Sequence, residues 1–179
     1  DFMGPCIMIK TERVGFFDTL ARPKKLLYAY ATAGVLITLL CAVVVTVMFL
    51  VSGILSLTVQ TDPIPPQDLL LIPGLNSYVP STFAVWFALF FAMIIHEAGH
   101  GIISRVEKMR VKSTGLLTLI IPIGAFVESY GEDVEKAALG SKLRMFAAGI
   151  TNNMVVGTIC LVLLAVLLGM AVWGDHPYV

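Results

Sequence analysis

The sequence predicts an α-helical polytopic membrane protein with three transmembrane helices and a short membrane-level β-hairpin or re-entrant segment. Two observations indicate this class. Of the 179 residues, 58% are hydrophobic and only 13% are charged, whereas about a quarter of the residues in a soluble domain are charged. Residues 26–60 and 145–174 contain no Asp, Glu, Lys or Arg, and about 20 apolar residues suffice to cross a bilayer. The composition therefore excludes a soluble enzyme and a nucleic-acid-binding protein.

Apolar runs and Pro positions divide the chain into seven segments. In chain order they are a juxtamembrane arm, a first span, a loop, a second span, a polar segment, a third span and a short end segment, at residues 1–25, 26–57, 58–80, 81–104, 105–144, 145–172 and 173–179. Residues 58–80 are assigned to a loop because Pro recurs there and cannot continue a helix.

Residues 113–128 are apolar and rich in β-branched side chains, but Pro122 and Gly124 interrupt them. The segment is too short and too broken for a spanning helix, so a membrane-level hairpin or re-entrant segment is favoured. Non-helical backbone survives at membrane depth only where protein or a wet cavity satisfies its polar groups. The rest of the chain up to Arg144 is expected to form a polar loop.

All Lys and Arg residues lie within residues 10–25 and 105–144. Because cytoplasmic loops of membrane proteins carry the excess of positive charge, both regions are predicted to face the cytoplasm. Residues 58–80 and the carboxyl-terminal end are then extracytoplasmic. The chain is predicted to be a multi-pass protein of the cell membrane, with the lipid bilayer as its surroundings.

The second span contains His96, Glu97 and His100 in the pattern HExxH. Residues four apart share one face of a helix, so both imidazoles can bind one metal ion with the carboxylate close by. Zinc polarises a carbonyl, and the carboxylate takes a proton from water and returns it to the leaving amine. Chance is the competing explanation, because a lone HExxH is only moderately specific. Glu97 is, however, the only acidic residue in the predicted spans, where an unpaired charge is costly.

Four segments together resemble the site-2 protease family of intramembrane zinc metalloproteases. Residues 91–102 are similar to the family's catalytic helix, and residues 122–128 (PIGAFVE) are similar to its PxGAFV segment. Residues 143–153 resemble its LRxFxAGxxxN segment, and residues 71–76 resemble a loop of its archaeal members. This combination in this order is far more specific than HExxH alone.

The resemblance implies a role for each matching polar residue. His96 and His100 correspond to ligands of one Zn²⁺ per chain, near the cytoplasmic end of the second span, and Glu97 corresponds to the general base. Asn153 corresponds to a substrate-binding Asn of the next core helix, near the active site. Alternatively, Asn153 packs helices, because it shares a small helix face with glycines four residues away on either side.

The resemblance also implies a substrate-binding strand. Gly124, Ala125 and Phe126 correspond to the edge that holds an unwound substrate by strand addition. Simple packing in the membrane is the alternative explanation for these three residues. The expected substrates are membrane-anchored proteins.

One part of the family pattern is missing. The family's third ligand is an Asp in an Asp-Gly pair on a later helix, and this chain contains no Asp-Gly. Asp175 is a poor candidate, because at 1.5 Å per residue His96 lies roughly 13 Å from the cytoplasmic side and Asp175 roughly 45 Å. Both chain ends are interpreted as cut. The third ligand is therefore expected beyond Val179, on further helices that a PDZ-like domain commonly precedes in this family.

The sequence therefore predicts an intramembrane zinc metalloprotease that hydrolyses peptide bonds within or near transmembrane segments, as in regulated intramembrane proteolysis. No nucleic-acid partner is expected. Two alternatives stay open at this point: a non-catalytic membrane scaffold or transporter that binds a metal, and an inactive fragment without its third zinc ligand. A transporter would need polar residues in more than one span, and the first span contains few.

Overall fold

A computed structural model describes residues 2–3, 6–58, 64–118 and 122–174. In chain order the elements are β1 (Phe2–Met3), β2 (Cys6–Thr11), α1 (Gly15–Leu20), α2 (Lys24–Ser56), a short 3₁₀ helix (Pro66–Leu69), α3 (Phe83–Val106), β3 (Val111–Thr118), β4 (Pro122–Ser129), α4 (Gly131–Lys136) and α5 (Leu139–Gly174). Within the described residues, α2, α3 and α5 are the helices long and apolar enough to cross a membrane. The prediction of a mostly helical chain with three candidate spans is confirmed.

Helix α5 packs against both α2 and α3, and glycines set the distance at these contacts. Gly34 of α2 lies directly against the side chain of Thr151. Gly99 of α3 lies against α5, where an added Cβ would come within 2.7 Å of the backbone oxygen of Ala148. Small residues permit such close approach in a membrane, where van der Waals packing drives helix association. The glycines therefore bring α3 and α5 close enough to share one site.

The strands form one antiparallel sheet in the order β1-β2-β3-β4. Strands β3 and β4 form a hairpin, which is one of the two structures predicted for residues 113–128. Strand β2 pairs with the other edge of β3, so the predicted juxtamembrane arm contributes two strands, β1 and β2, to the sheet and also a helix, α1. The sequence did not predict β2, because it is short and its partner β3 lies about a hundred residues away along the chain.

The turn after α3 directs the chain straight into the sheet. Lys108 adopts a left-handed conformation with φ 65°. Met109 N donates to Ser104 O (2.8 Å) and Lys108 N donates to Arg105 O (3.2 Å), which is the bond pair of a Schellman motif. Met109 is buried against the helices, and β3 therefore begins next to the end of α3.

The residues between the hairpin and the third span differ from the predicted polar loop. Residues 131–136 form α4, and α5 already begins at Leu139. Arg144 stabilises these extra turns: its Nε lies 2.5 Å from Glu107 Oε1, and its guanidinium stacks over Tyr28 at 4.2 Å from the ring centroid. Both charged side chains of this pair are largely buried. The charges thus join the three helices instead of lying in a solvated loop.

Burial divides the helices into two regions. At the packed end, buried side chains cluster where the helices meet α1 and the sheet; they are Val14, Phe17, Ala21, Ala31, Ile103, Val106, Met109, Val111, Met145 and Ala148. At the distal end, residues 42–56 of α2 and 157–171 of α5 are exposed throughout. These stretches carry no charge, and an apolar exposed surface of this kind is suited to contact with lipid.

Candidate metal centre and active site

His96, Glu97 and His100 lie together in the part of α3 that belongs to the packed end. One candidate ligand atom from each lies within 4.8 Å of the others, and the two imidazole centroids are 4.9 Å apart. Among the described residues, these three are the His, Cys, Asp and Glu side chains that lie close enough together to hold one metal ion. Asp175, a poor candidate ligand because of its predicted depth, lies outside the described residues.

Gly149 of α5 faces both imidazoles. A Cβ atom at this position would lie 2.5 Å from Nε2 of His96 and 2.7 Å from Nε2 of His100. Both Nε2 atoms therefore lie directly against Gly149, and only a residue without a Cβ atom permits this close packing. Two imidazole nitrogens this close together can serve as ligands of one zinc ion. The sequence alone assigned Gly149 to a small packing face and did not show this second role.

His100 is fixed through its other ring nitrogen. Its Nδ1 lies 2.8 Å from the backbone oxygen of Met145. Because a carbonyl oxygen only accepts hydrogen bonds, this contact requires the proton on Nδ1 and leaves the lone pair on Nε2. This tautomer ligates a metal through Nε2.

Asn153 lies beside the other imidazole, with Nδ2 3.4 Å from His96 Nδ1. In this orientation Asn153 Oδ1 is buried and has no hydrogen-bond partner among the described residues. Rotating the amide by 180° exchanges its two atoms, so that Oδ1 accepts from Nδ1–H of His96. The lone pair of His96 then also lies on Nε2. The residues around both imidazoles therefore fit a bound metal ion such as zinc.

The carboxylate of Glu97 is held by the edge of β4. Its Oε2 accepts a hydrogen bond of 2.9 Å from the backbone N–H of Val127. Strand β4 is the last strand in the described sheet order, so this N–H belongs to the edge that β3 does not pair. The hairpin therefore positions the carboxylate that the sequence predicts as the general base.

The three residues predicted to bind substrate lie on β4, but their surroundings differ. Ala125 lines a cavity that Glu97 also lines. The ring of Phe126 instead lies over Gly115 of β3, and Gly124 packs against a β3 side chain. The backbone of this segment is next to the site, whereas the Phe126 side chain points to the other face of the sheet.

A polar connection across three helices was not predicted. Tyr30 Oη of α2 donates to Asn152 Oδ1 of α5 (2.7 Å), and Asn152 Nδ2 donates to the backbone oxygen of Ile95 in α3 (3.1 Å). Ile95 directly precedes His96, so this connection helps to fix the metal motif. Asn152 and Asn153 are alike in chemistry, and the helical phase of α5 decides which of them contacts His96. The sequence carried no signal for the partner in α2.

The amino-terminal segment also reaches the site. The ring of Phe17 packs directly on Gly101, where an added Cβ would collide with it. Asp18 Oδ1 lies 3.2 Å from Arg105 Nε, which further attaches α1 to α3. Two adjacent Phe residues in a mixed, partly charged arm were the only signal of this contact in the sequence.

A second cavity, of about 590 Å³, opens beside His100. Ser104 and Ser129 contribute to its wall, and their hydroxyl oxygens lie 3.1 Å apart. Lys142 lies in the same wall and donates to the backbone oxygen of Glu135. A cavity of this size with several polar groups can hold water molecules, which a hydrolytic site needs.

Comparison with known proteins identifies the family. The model of peptidase family M50 matches residues 82–176, which is more than half of the chain. The matched region contains the HExxH motif, the hairpin and all of α5. The chain therefore belongs to peptidase family M50, the site-2 protease family.

A curated relative is the uncharacterized protein MJ0971 of Methanocaldococcus jannaschii. It is 36% identical over 70 residues, which are 38% of this chain and 19% of that protein. The matched part thus spans about a fifth of the relative's length. No solved structure matches the chain significantly.

Proposed function

We propose that the protein is an intramembrane zinc metalloendopeptidase. One observation carries this proposal: ligand atoms of His96, Glu97 and His100 lie within 4.8 Å of one another, and the backbone N–H of Val127 holds the Glu97 carboxylate. Membership in a peptidase family supports hydrolysis of peptide bonds. The three long apolar helices support a location in the membrane.

Each residue of the site has a definite task in this proposal. His96 and His100 hold one Zn²⁺ through Nε2, while the contacts to their Nδ1 atoms keep the rings in place. The ion, when bound, acts as a Lewis acid toward the scissile carbonyl and acidifies water. Glu97 takes a proton from the attacking water and delivers it to the leaving nitrogen. The N–H of Val127 keeps the carboxylate in position for both transfers.

The proposed substrates are membrane-anchored proteins, cleaved within or near a transmembrane segment. An intact helix hides its carbonyls, so the substrate must be extended before it can react. The unpaired edge of β4 can bind an extended chain by strand addition. Hydrogen-bonding groups alternate along a strand, so Ala125 presents its N–H and C=O at the same edge as Val127. Residues 124–126 are therefore proposed to hold the substrate.

The site is proposed to face the cytoplasmic side of the cell membrane. The pairing of β2 with β3 supports this orientation, because it brings the basic residues of segments 10–25 and 105–144 to one end of the molecule. Positively charged loops of membrane proteins are mostly cytoplasmic. The third zinc ligand, further helices and a PDZ-like domain are proposed to belong to a longer protein of which residues 1–179 are a part.

Glu97→Gln separates the protease from the alternative of a metal-binding scaffold or transporter. In the full-length protein reconstituted into vesicles, this variant should cleave a membrane-anchored peptide at least about 100-fold more slowly and keep one zinc per chain. His96→Ala should lose both zinc and cleavage. Zinc is measured by elemental analysis and cleavage by the appearance of product on a gel.

Glu132→Gln is the matched control, because Glu132 is an exposed carboxylate on α4 outside the site. It should leave cleavage and zinc content unchanged. A scaffold or transporter predicts that Glu97→Gln also leaves function unchanged. Wild-type protein that binds zinc and cleaves no membrane-anchored peptide would contradict the proposal.

A further inference from the structure

One face of the sheet carries a continuous set of small and apolar side chains. Strand register places Thr11 opposite Thr114, and Leu116 opposite Ala125. Residues directly opposite each other in an antiparallel sheet point to the same face. Val127, opposite Thr114, therefore belongs to this face as well.

Two helices cover this face and leave a cavity beneath them. Phe16 of α1 and Ile94 and Ala98 of α3 form the opposite wall. The cavity measures about 260 Å³. Phe16 is 48% exposed and Ile94 is 41% exposed, so the cavity is open and a group can enter it from outside.

The lining of the cavity favours an apolar occupant. Its two threonine hydroxyls make hydrogen bonds within the fold, since Thr114 Oγ1 donates to the backbone oxygen of Phe126 (3.0 Å) and Thr11 Oγ1 accepts from Arg13 N (3.2 Å). The remaining side chains of the wall are apolar except for Glu97. Burying an apolar group here is favourable, because it removes apolar surface from water.

The position of the cavity favours a substrate side chain as the group that enters it. Glu97 lies in its wall, and so do Ala125 and Val127 at the edge of β4. Side chains of an extended chain alternate between the two faces of a sheet. A substrate paired with this edge would therefore direct every second side chain toward the face that Ala125 and Val127 share.

We propose that this cavity is a specificity subsite for one apolar side chain of the substrate, adjacent to the peptide bond whose hydrolysis Glu97 assists. The inference rests on the proposed protease function and deepens it, since it assigns the amino-terminal helix α1 a role in substrate selection. Phe16 is the largest exposed side chain in the wall and is therefore the position at which the size of the subsite can be altered. A lipid acyl chain is the competing occupant, and photo-crosslinking distinguishes it from a substrate side chain.

Photo-crosslinking tests contact without requiring cleavage. The full-length protein carries Glu97→Gln and p-benzoylphenylalanine at position 16, and is mixed in phosphatidylcholine vesicles with a fluorescent single-span peptide. Illumination should attach the peptide to position 16. The matched control has the same probe at Leu20, which lies on the same helix with 49% exposure and outside the cavity wall. Equal yields at both positions, or adducts with lipid alone at position 16, would overturn the subsite.

Substrate preference tests size selection in the active enzyme. Two peptides differ only by Phe or Ala at the residue that the crosslink maps. Phe16→Ala enlarges the cavity and should raise the ratio of kcat/KM for the Phe peptide over the Ala peptide about tenfold. Phe16→Trp should lower this ratio, and Leu20→Ala should leave it unchanged.

The two measurements separate failure of the subsite from failure of the proposed function. An unchanged ratio in an active Phe16→Ala protein refutes the subsite and leaves the protease intact. A specific crosslink at position 16 together with no cleavage by the wild-type protein refutes the protease and leaves a peptide-binding groove.

Discussion

Glycines at the packed end and at the distal end of the helices differ in how closely neighbouring elements approach them. At the packed end, an added Cβ at Gly34, Gly99, Gly101 or Gly149 would collide with a neighbouring element. At the distal end, Gly53 and Gly157 have no atom from another element within 4 Å of such a Cβ. Gly34 and Gly53 lie on the same helix α2, and Gly149 and Gly157 lie on the same helix α5, so the overall hydropathy of the helix does not distinguish the two sets.

The difference shows which part of the molecule requires a fixed geometry. The distal stretches satisfy their backbone within each helix and need only an apolar surface. The packed end must hold two imidazoles, a carboxylate and a strand edge within a few ångström, which demands close backbone approach. Substitutions matched between the two ends therefore test whether the site depends on this packing.

The largest effect is expected for Gly149→Ala, because the new methyl group would collide with Nε2 of both His96 and His100 and displace the two imidazoles. The variant should lose nearly all bound zinc and all cleavage. Elemental analysis of purified full-length protein measures the zinc. Gly157→Ala, two turns further along the same helix in open space, should keep one zinc per chain. Full zinc in Gly149→Ala would show that the metal lies elsewhere.

A smaller effect, on stability, is expected for Gly34→Ala. Its methyl group would collide with Thr151, which is buried and whose hydroxyl donates to Ala147 O at 2.8 Å. Overpacking of this kind costs typically about 1–3 kcal/mol of unfolding free energy. The midpoint of thermal unfolding in detergent should fall accordingly.

Gly53→Ala is the control for this stability measurement, because it lies on the same helix at the distal end with open space around it. Alanine favours a helix over glycine by up to about 1 kcal/mol, so its midpoint should stay constant or rise. Equal losses in both variants would remove the proposed distinction between the two ends.

The smallest effect is expected for an ion pair, a kind of contact that the uncharged distal stretches cannot make. Arg110 donates from Nε and Nη2 to the carboxylate of Asp133 (2.7 and 2.9 Å). Its backbone N–H donates to the same carboxylate. Together these hydrogen bonds lower the pKa of Asp133 to about 2. A lowered pKa means that the pair stabilises the fold above the ordinary Asp value of about 3.9. This stabilisation is lost as the pH falls through about 2.

Carboxyl NMR titration of the folded protein measures this pKa directly. Arg110→Gln removes the guanidinium and should move the pKa of Asp133 back toward its ordinary value. Lys112→Gln, which removes the partner of Glu128, should leave Asp133 unaffected. An Asp133 pKa near 4 in the wild-type protein would argue against the ion pair.

Much of the fold could be read from local sequence patterns. The long apolar runs predicted the three long helices, and the break at Pro122 and Gly124 predicted a hairpin or a re-entrant segment, of which the structure shows the hairpin. The HExxH spacing brought His96 and His100 to one helix face. Each of these inferences depends on residues close together in the chain, where helix and strand periodicity determine which side chains meet.

Other features escaped prediction because their partners are distant. The polar segment before the third span looked solvated, but Arg144 reaches Glu107 across a helix contact. Asn152 could not be distinguished from Asn153 without the phase of α5 against its two neighbours. The contribution of α1 depended on the packing of Phe17 against Gly101, residues more than 80 positions apart.

The sequence by itself determined the class of protein, the three candidate spans and the identity of the metal motif, because composition and short-range periodicity carry that information. Only the tertiary structure decided that Gly149 packs against both imidazoles, that β4 holds Glu97, and that the amino-terminal segment lines the site. These facts depend on how separate elements pack. Packing is decided by the shapes of all contacting surfaces together, which no single stretch of sequence specifies.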